Sequence, residues 1–169
     1  MKKLILTLSI LLSLAFANEV NAQQKFGHVN SQELFETMPE VKSLRSELTN
    51  KSAQYENQLK NLYTQYQALV TEIQSNGQTL TQMVLEQKYA QATDLETKIT
   101  NLETAAQQEL SRYEAQKLEP IEEKAFQAIQ RVAQANGFTY IFDSSLGVLI
   151  YKPASDDITN MVKAELGIY

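Results

Sequence analysis

Residues 73–82 read IQSNGQTLTQ, and Gly77 within them is the only glycine between Gly27 and Gly137; no proline occurs between Pro39 and Pro120. On both sides of this stretch the apolar residues keep helical spacing. Upstream, Val41, Leu44 and Leu48 step by three and four. After one slip of phase near Lys51-Ser52, Tyr55, Leu59, Leu62, Tyr66, Leu69 and Ile73 alternate four and three in a heptad rhythm. Downstream, a second run opens sparsely with Leu80 and Val84 and continues as Leu95, Ile99, Leu102, Ala106, Leu110 and Tyr113. Past Pro120 it goes on as Ile121, Ala125, Ile129 and Val132. Asn and Gly both tolerate the left-handed backbone that ends a helix, so the first helix is expected to stop at Asn76-Gly77, and Thr79 or Thr81 to cap the next. Two amphipathic runs joined by so short a link pack antiparallel, which makes a helical hairpin with its turn near 75–79. Its first helix alone reaches roughly 50 Å.

Composition agrees with a mainly α chain. The 169 residues hold no cysteine, no tryptophan, five glycines and three prolines, which disfavours an all-β architecture and excludes disulfides and thiol chemistry. The N-terminus reads as an address: Met1-Lys2-Lys3 is a basic n-region, Leu4 to Phe16 a short apolar run, and Val20-Asn21-Ala22 a small-residue cleavage site. Residues 1–22 are therefore expected to be a signal peptide, cleaved after Ala22 or, alternatively, Ala17. About thirteen apolar residues are short for a membrane span of about twenty. Taking away Lys2, Lys3 and Glu19 from the 15 basic and 20 acidic residues leaves 13 against 19, a net charge of −6. That balance favours neither nucleic acid nor an anionic membrane as a partner.

The arm is unusually poor in charge. Between Asn61 and Thr93 only Glu72, Glu86 and Lys88 are charged, whereas a solvated coiled coil carries many Glu/Lys pairs. A second apolar stripe runs beside the seam, through Tyr63, Tyr66 and Val70 on the first helix and Leu85 and Tyr89 on the second. Either it widens the seam, or it stays exposed and holds apolar polypeptide.

Both ends supply strands. "FGHVN" (26–30) reads as a short strand, followed by a helix capped by Asn30 with Glu33 at the reciprocal capping-box position. Asn136-Gly137 stops the second long helix, "FTYIFD" (138–143) reads as a buried strand, and "VLIY" (148–151) as its hairpin partner after a turn at 144–147. Ser155 or Asp156 is expected to cap a last helix, Asp157 to Leu166. Three short strands are too few to close a core alone, which implies oligomerisation through this base. Pro120, near the junction of arm and base, is a candidate hinge.

No catalytic constellation is present. The single histidine, His28, reads as a packed strand residue, since no cysteine or second histidine shares a metal or a triad with it. Asp156-Asp157 precede a helical pattern and read as caps. The glycines lie singly, so no phosphate loop exists. The expectation is a protein that is not an enzyme and that uses no metal and no cofactor.

The order of signal peptide, "FGHVNSQELF", long hairpin, "FTYIFDSS", "VLIY" and "DDITNMVKAEL" resembles the Skp (OmpH) family of periplasmic chaperones over the whole mature chain. The resemblance implies a jellyfish-like homotrimer, mainly α with a small β part. Residues 23–37 and 120–169 would form a β-rich trimerisation body, and 38–119 a helical arm. It implies an ATP-independent periplasmic holdase that keeps unfolded outer-membrane β-barrel proteins in a cavity between three arms before delivery to the barrel-assembly machinery. By that mapping Phe26, Val29, Phe138, Tyr140, Phe142, Val148 and Ile150 build the body. Tyr63, Tyr66, Val70, Met83, Leu85 and Tyr89 face the client. One departure stands out: the best-known members are basic with positive arm tips, whereas this tip is uncharged and gives no electrostatic basis for lipopolysaccharide contact. A coiled-coil scaffold or tether explains the hairpin but not the two-ended strand base. An export adaptor needs larger β flanks than the one strand found here.

Overall fold

The computed structural model describes residues 24–168; the expected signal peptide lies outside the described residues. The hairpin forms as the spacing predicts, from α2 (Pro39–Asn76) and α3 (Gln82–Ala135). These helices are about 57 and 81 Å long at 1.5 Å per residue. Pro39 opens α2 at its first position, where its missing N–H costs nothing, and it forces the preceding Met38 into extended backbone (φ −66°, ψ 127°). That constraint separates α2 from the short α1 (Ser31–Thr37).

The turn differs from expectation in one respect. Gly77 is right-handed (φ −54°, ψ −32°), not left-handed. Glycine is required there by close approach instead, because a Cβ at position 77 would stand 2.5 Å from the Ile73 carbonyl oxygen. Thr79 satisfies the freed Asn76 carbonyl with both its amide and its hydroxyl, at 2.9 and 2.8 Å, and Thr81 caps α3 by accepting from the Val84 amide. At the other end of α3 the left-handed stop does appear, at Gly137 (φ 69°).

The core sits at the base. Leu34 and Met38 are wholly buried together with Ile158 and Val162, and around them pack Val29, Val41, Leu44, Ile121, Ala125, Ala128 and Val132. Ala125 and Ala128 keep this face of α3 flat enough for α1 and the C-terminal helix α4 (Thr159–Glu165) to approach. The core therefore draws on the first two turns of α2, and α3 runs unbroken from arm to base through Pro120. On the arm, by contrast, the buried residues are only Ala92, Ile99 and Ala106; the large seam residues are half-buried. At the phase slip the seam opens into a gap of about 440 Å³ beside Ser52, Tyr55, Leu59, Ala106 and Leu110.

The sheet is smaller than expected. β1 (Phe26–Val29) pairs in parallel with β2 (Tyr140–Asp143), with Phe26 opposite Tyr140 and Val29 opposite Asp143. These are the two strands among the described residues. "VLIY" is not a strand and forms no hairpin with β2: β2 takes β1 as its partner, and Val148, Ile150 and Tyr151 are exposed and Leu149 half-buried, with no strand beside them among the described residues. The last helix starts at Thr159, two residues later than expected, after a 3-10 turn at Ala154–Asp156. Asp157 rather than Ser155 or Asp156 organises its start, accepting from the Thr159 amide at 2.8 Å and hydroxyl at 2.6 Å. The capping box is half made. Asn30 accepts from the Glu33 amide at 3.1 Å, but Glu33 pairs with Lys163 at 2.6 Å, and the Asn30 amide is taken by the Thr159 hydroxyl.

Asp143 ties the end of β2 to the start of α1. Its carboxylate accepts from the Ser31 amide and hydroxyl and from the Ser145 amide and hydroxyl. Burial is the largest single influence on this carboxyl and pushes its pKa up, but the Ser31 and Ser145 bonds together outweigh it and hold the pKa below the ordinary aspartate value. At Asp157 burial is again opposed and outweighed, chiefly by Thr159. Groups whose pKa is depressed in the folded state contribute stability that is present above the unfolded value, about 3.9, and lost as pH falls through the folded values. The melting temperature should therefore stay level from neutral pH to about 5 and drop below about 4. Asp143→Asn should melt lower at neutral pH and show a shallower acid limb by circular dichroism; an acid limb as steep as wild type would contradict this role.

Candidate functional site

A ladder of polar rungs crosses the hairpin. From base to tip these are Glu40 with Lys124, Glu47 with the Tyr113 hydroxyl (2.5 Å), Tyr63 with Glu103 (2.9 Å), Tyr66 with Glu96 (2.5 Å) and Glu72 with Lys88 (2.7 Å). In three rungs a phenol donates to a carboxylate, which raises the pKa of each tyrosine. The carboxylates of Glu47 on α2 and of Glu96 and Glu103 on α3 are thus matched by hydroxyls rather than by cations. The rungs also fix the antiparallel register, since each sits near the same mirror point along the chain.

The six arm positions picked from sequence divide into two groups. Tyr63, Met83 and Tyr89 are exposed, Met83 to 78 %. Tyr66, Val70 and Leu85 are half-buried against the opposite helix. The ring of Tyr63 is open to solvent although its hydroxyl is tied across the seam, so it serves hairpin and surface together. Distal to Ala92 no side chain of either helix is fully buried, and the single ion pair of that region is Glu72–Lys88. The distal arm is thus a nearly neutral surface of Tyr, Met, Leu, Gln and Thr.

At the base, Val29 is buried within its own chain and Phe138 packs partly against the same core. Phe26, Tyr140 and Phe142 form an exposed aromatic cluster on the outer face of the sheet, with ring centroids 5.8 and 6.3 Å apart. Val148 and Ile150 are exposed, as are Leu146 and Tyr151 beside them. Sequence reading missed Phe126, which is 55 % exposed on α3. With Ile129 it makes a second apolar stripe beside the core stripe of Ile121, Ala125, Ala128 and Val132. His28 is buried as expected, its Nε2–H donating to the Pro153 carbonyl at 3.0 Å and its Nδ1 facing the Asp157 carboxylate at 3.9 Å. Pro120 is exposed inside α3. None of the described helices is long and apolar enough to cross a membrane.

Comparison with known proteins gives a concordant picture. The family described as Outer membrane protein (OmpH-like) matches residues 25–166. The chain is 24% identical over 144 residues to the chaperone protein Skp of Vibrio cholerae, covering 83% of each chain. It is 25% identical over 169 residues to that of Photorhabdus laumondii, covering 96% of this chain and 97% of the other. Its fold is similar to that of a solved OmpH-like outer membrane chaperone from Caulobacter crescentus, with a TM-score of 0.75 at 20% identity over 85% of this chain and 83% of that one.

Proposed function

The chain belongs to the OmpH-like family, and from that membership we propose that it is an ATP-independent holdase of the periplasm. It is exported on a cleavable signal peptide, residues 1–22, and assembles as a homotrimer through its base. It keeps unfolded outer-membrane β-barrel proteins from aggregating in the space between three arms before they reach the barrel-assembly machinery. The observation that carries this reading is the distal arm, where Tyr63, Met83 and Tyr89 are exposed on a surface almost without charge. A holdase needs many weak, non-directional contacts, and flexible Met with amphipathic Tyr supplies them without demanding one client geometry. The client-facing set is Tyr63, Tyr66, Val70, Met83, Leu85 and Tyr89. Residues 38–119 act as the arm, and 23–37 with 120–169 as the body.

The family-wide reading is tested by native mass spectrometry of residues 23–169 mixed with a barrel protein diluted from urea. Three chains with one client is the expected species, and a trimer that binds none would favour a coiled-coil scaffold. Because the distal arm holds one internally paired cation, Lys88, client capture should depend only weakly on salt. Raising ionic strength from low to physiological should change client Kd by less than about threefold; a loss of about tenfold or more would contradict this.

A further inference from the structure

The chain holds no cysteine and no tryptophan, so its methionine thioethers are the side chains that a peroxide oxidises most readily. Met38, Met83 and Met161 are the methionines among the described residues, and each has its own environment. Met38 is wholly buried in the core of the base, Met161 on α4 is 40 % exposed, and Met83, at the second position of α3, is 78 % exposed. Met83 is also more open than Tyr63 (43 %) and Tyr89 (55 %), the other exposed members of the client-facing set. We propose that Met83 is a reversible oxidation site, whose conversion to the sulfoxide by hydrogen peroxide loosens the arm's hold on client. The inference rests on the holdase reading above and names how that surface is regulated.

In the reaction a lone pair of the Met83 sulfur attacks one peroxide oxygen. The S–O bond forms, the O–O bond breaks, and the proton of the transferred oxygen passes to the departing one, which leaves as water; the thioether is oxidised by two electrons and the peroxide reduced by two. Two features suit Met83 to switching. It lies outside the core cluster, and the cap of α3 is Thr81, so a polar side chain at position 83 costs the fold little. Its sequence neighbours Leu80, Val84 and Leu85 are apolar, and the nearest charge along the chain is Glu86. A surface that binds by apolar contact thereby gains a strong hydrogen-bond acceptor, which must shed its water before client can cover it. Met38 is the opposite case, since a sulfoxide there would enter a close-packed core, and burial shields it while the base stays folded. Methionine sulfoxide reductases return the thioether, which makes the change at Met83 reversible.

Residues 23–169, treated with hydrogen peroxide and then freed of it with catalase, decide the question. Tryptic peptide 61–88 holds Met83 as its sole methionine. In line with the exposures it should gain one oxygen roughly twice as fast as the peptide carrying Met161, with Met38 unmodified. Once Met83 is fully oxidised, titration with an unoxidised barrel protein diluted from urea should show Kd raised about threefold, while circular dichroism and sedimentation stay as they were. Treatment with methionine sulfoxide reductases A and B should return the original Kd. Met83→Leu should hold client like wild type and lose the response to peroxide; Met83→Gln, polar and of similar length, should show the weakened Kd without peroxide. Oxidation of Met161 ahead of Met83, an unchanged Kd after Met83 is oxidised, or an equal loss in the Met83→Leu protein would overturn the switch and leave the holdase standing. An untreated protein that binds no client would overturn both.

Discussion

Leu34→Ala should lower the melting temperature by about 10 °C, corresponding to a loss of roughly 3–4 kcal/mol. Leu34 has no accessible surface and lies where α1, α2, α3 and α4 converge with β1, beside Met38, Ile158 and Val162. Truncation leaves a cavity in a site that cannot collapse, because the elements around it are fixed by the Asp143 and Asp157 bonds and by the Lys163–Glu33 pair. Leu69→Ala provides the contrast: that residue is half-buried in the seam, and its loss should cost about 1 kcal/mol. Thermal melts of the two variants measure where stability resides. Equal losses would mean that the arm, and not the base, carries the fold.

A second large effect concerns client holding. The triple change Tyr63→Ser, Met83→Ser and Tyr89→Ser should weaken binding of an unfolded barrel protein roughly thirtyfold, about 2 kcal/mol distributed over three exposed apolar contacts. Ser is close to Tyr in helix propensity, so the arm should remain helical, and none of the three lies in the core. Titration of labelled client gives the affinity, and sedimentation confirms that assembly is intact. Unchanged affinity in an intact oligomer would shift the reading to a periplasmic scaffold.

The long-range outline of the fold was legible because its causes are local. Pro39, the Thr81 cap and Asn136-Gly137 mark helix ends through the backbone of a few residues, and the heptad rhythm alone pairs the two helices. The OmpH-like kinship was legible from the order of motifs. What failed was non-local. The "VLIY" run announces an extended apolar segment, yet an apolar pattern does not say which strand, or which chain, will pair with it. Glu33 fits a capping box by position, but Lys163, 130 residues away, offers a charged partner that no local pattern reveals. Gly77 was correctly read as a turn residue for the wrong reason, since left-handed backbone and close approach both select glycine. Phe126 was overlooked because it falls off the core stripe; its pairing with Ile129 was the available signal.

Pro120 leaves α3 unbroken but removes one rung of its hydrogen-bond ladder. If Pro120 acts as the proposed hinge, the arm is a lever whose fulcrum is that turn. From Pro120 to Gln82 the helix is about 57 Å long, so a bend of roughly 10° there carries the tip about 10 Å sideways. In the proposed trimer, three such arms would open or narrow the mouth between their tips by a distance comparable to a helix diameter, each bend falling at the edge of the core, where Ile121 and Leu44 are buried.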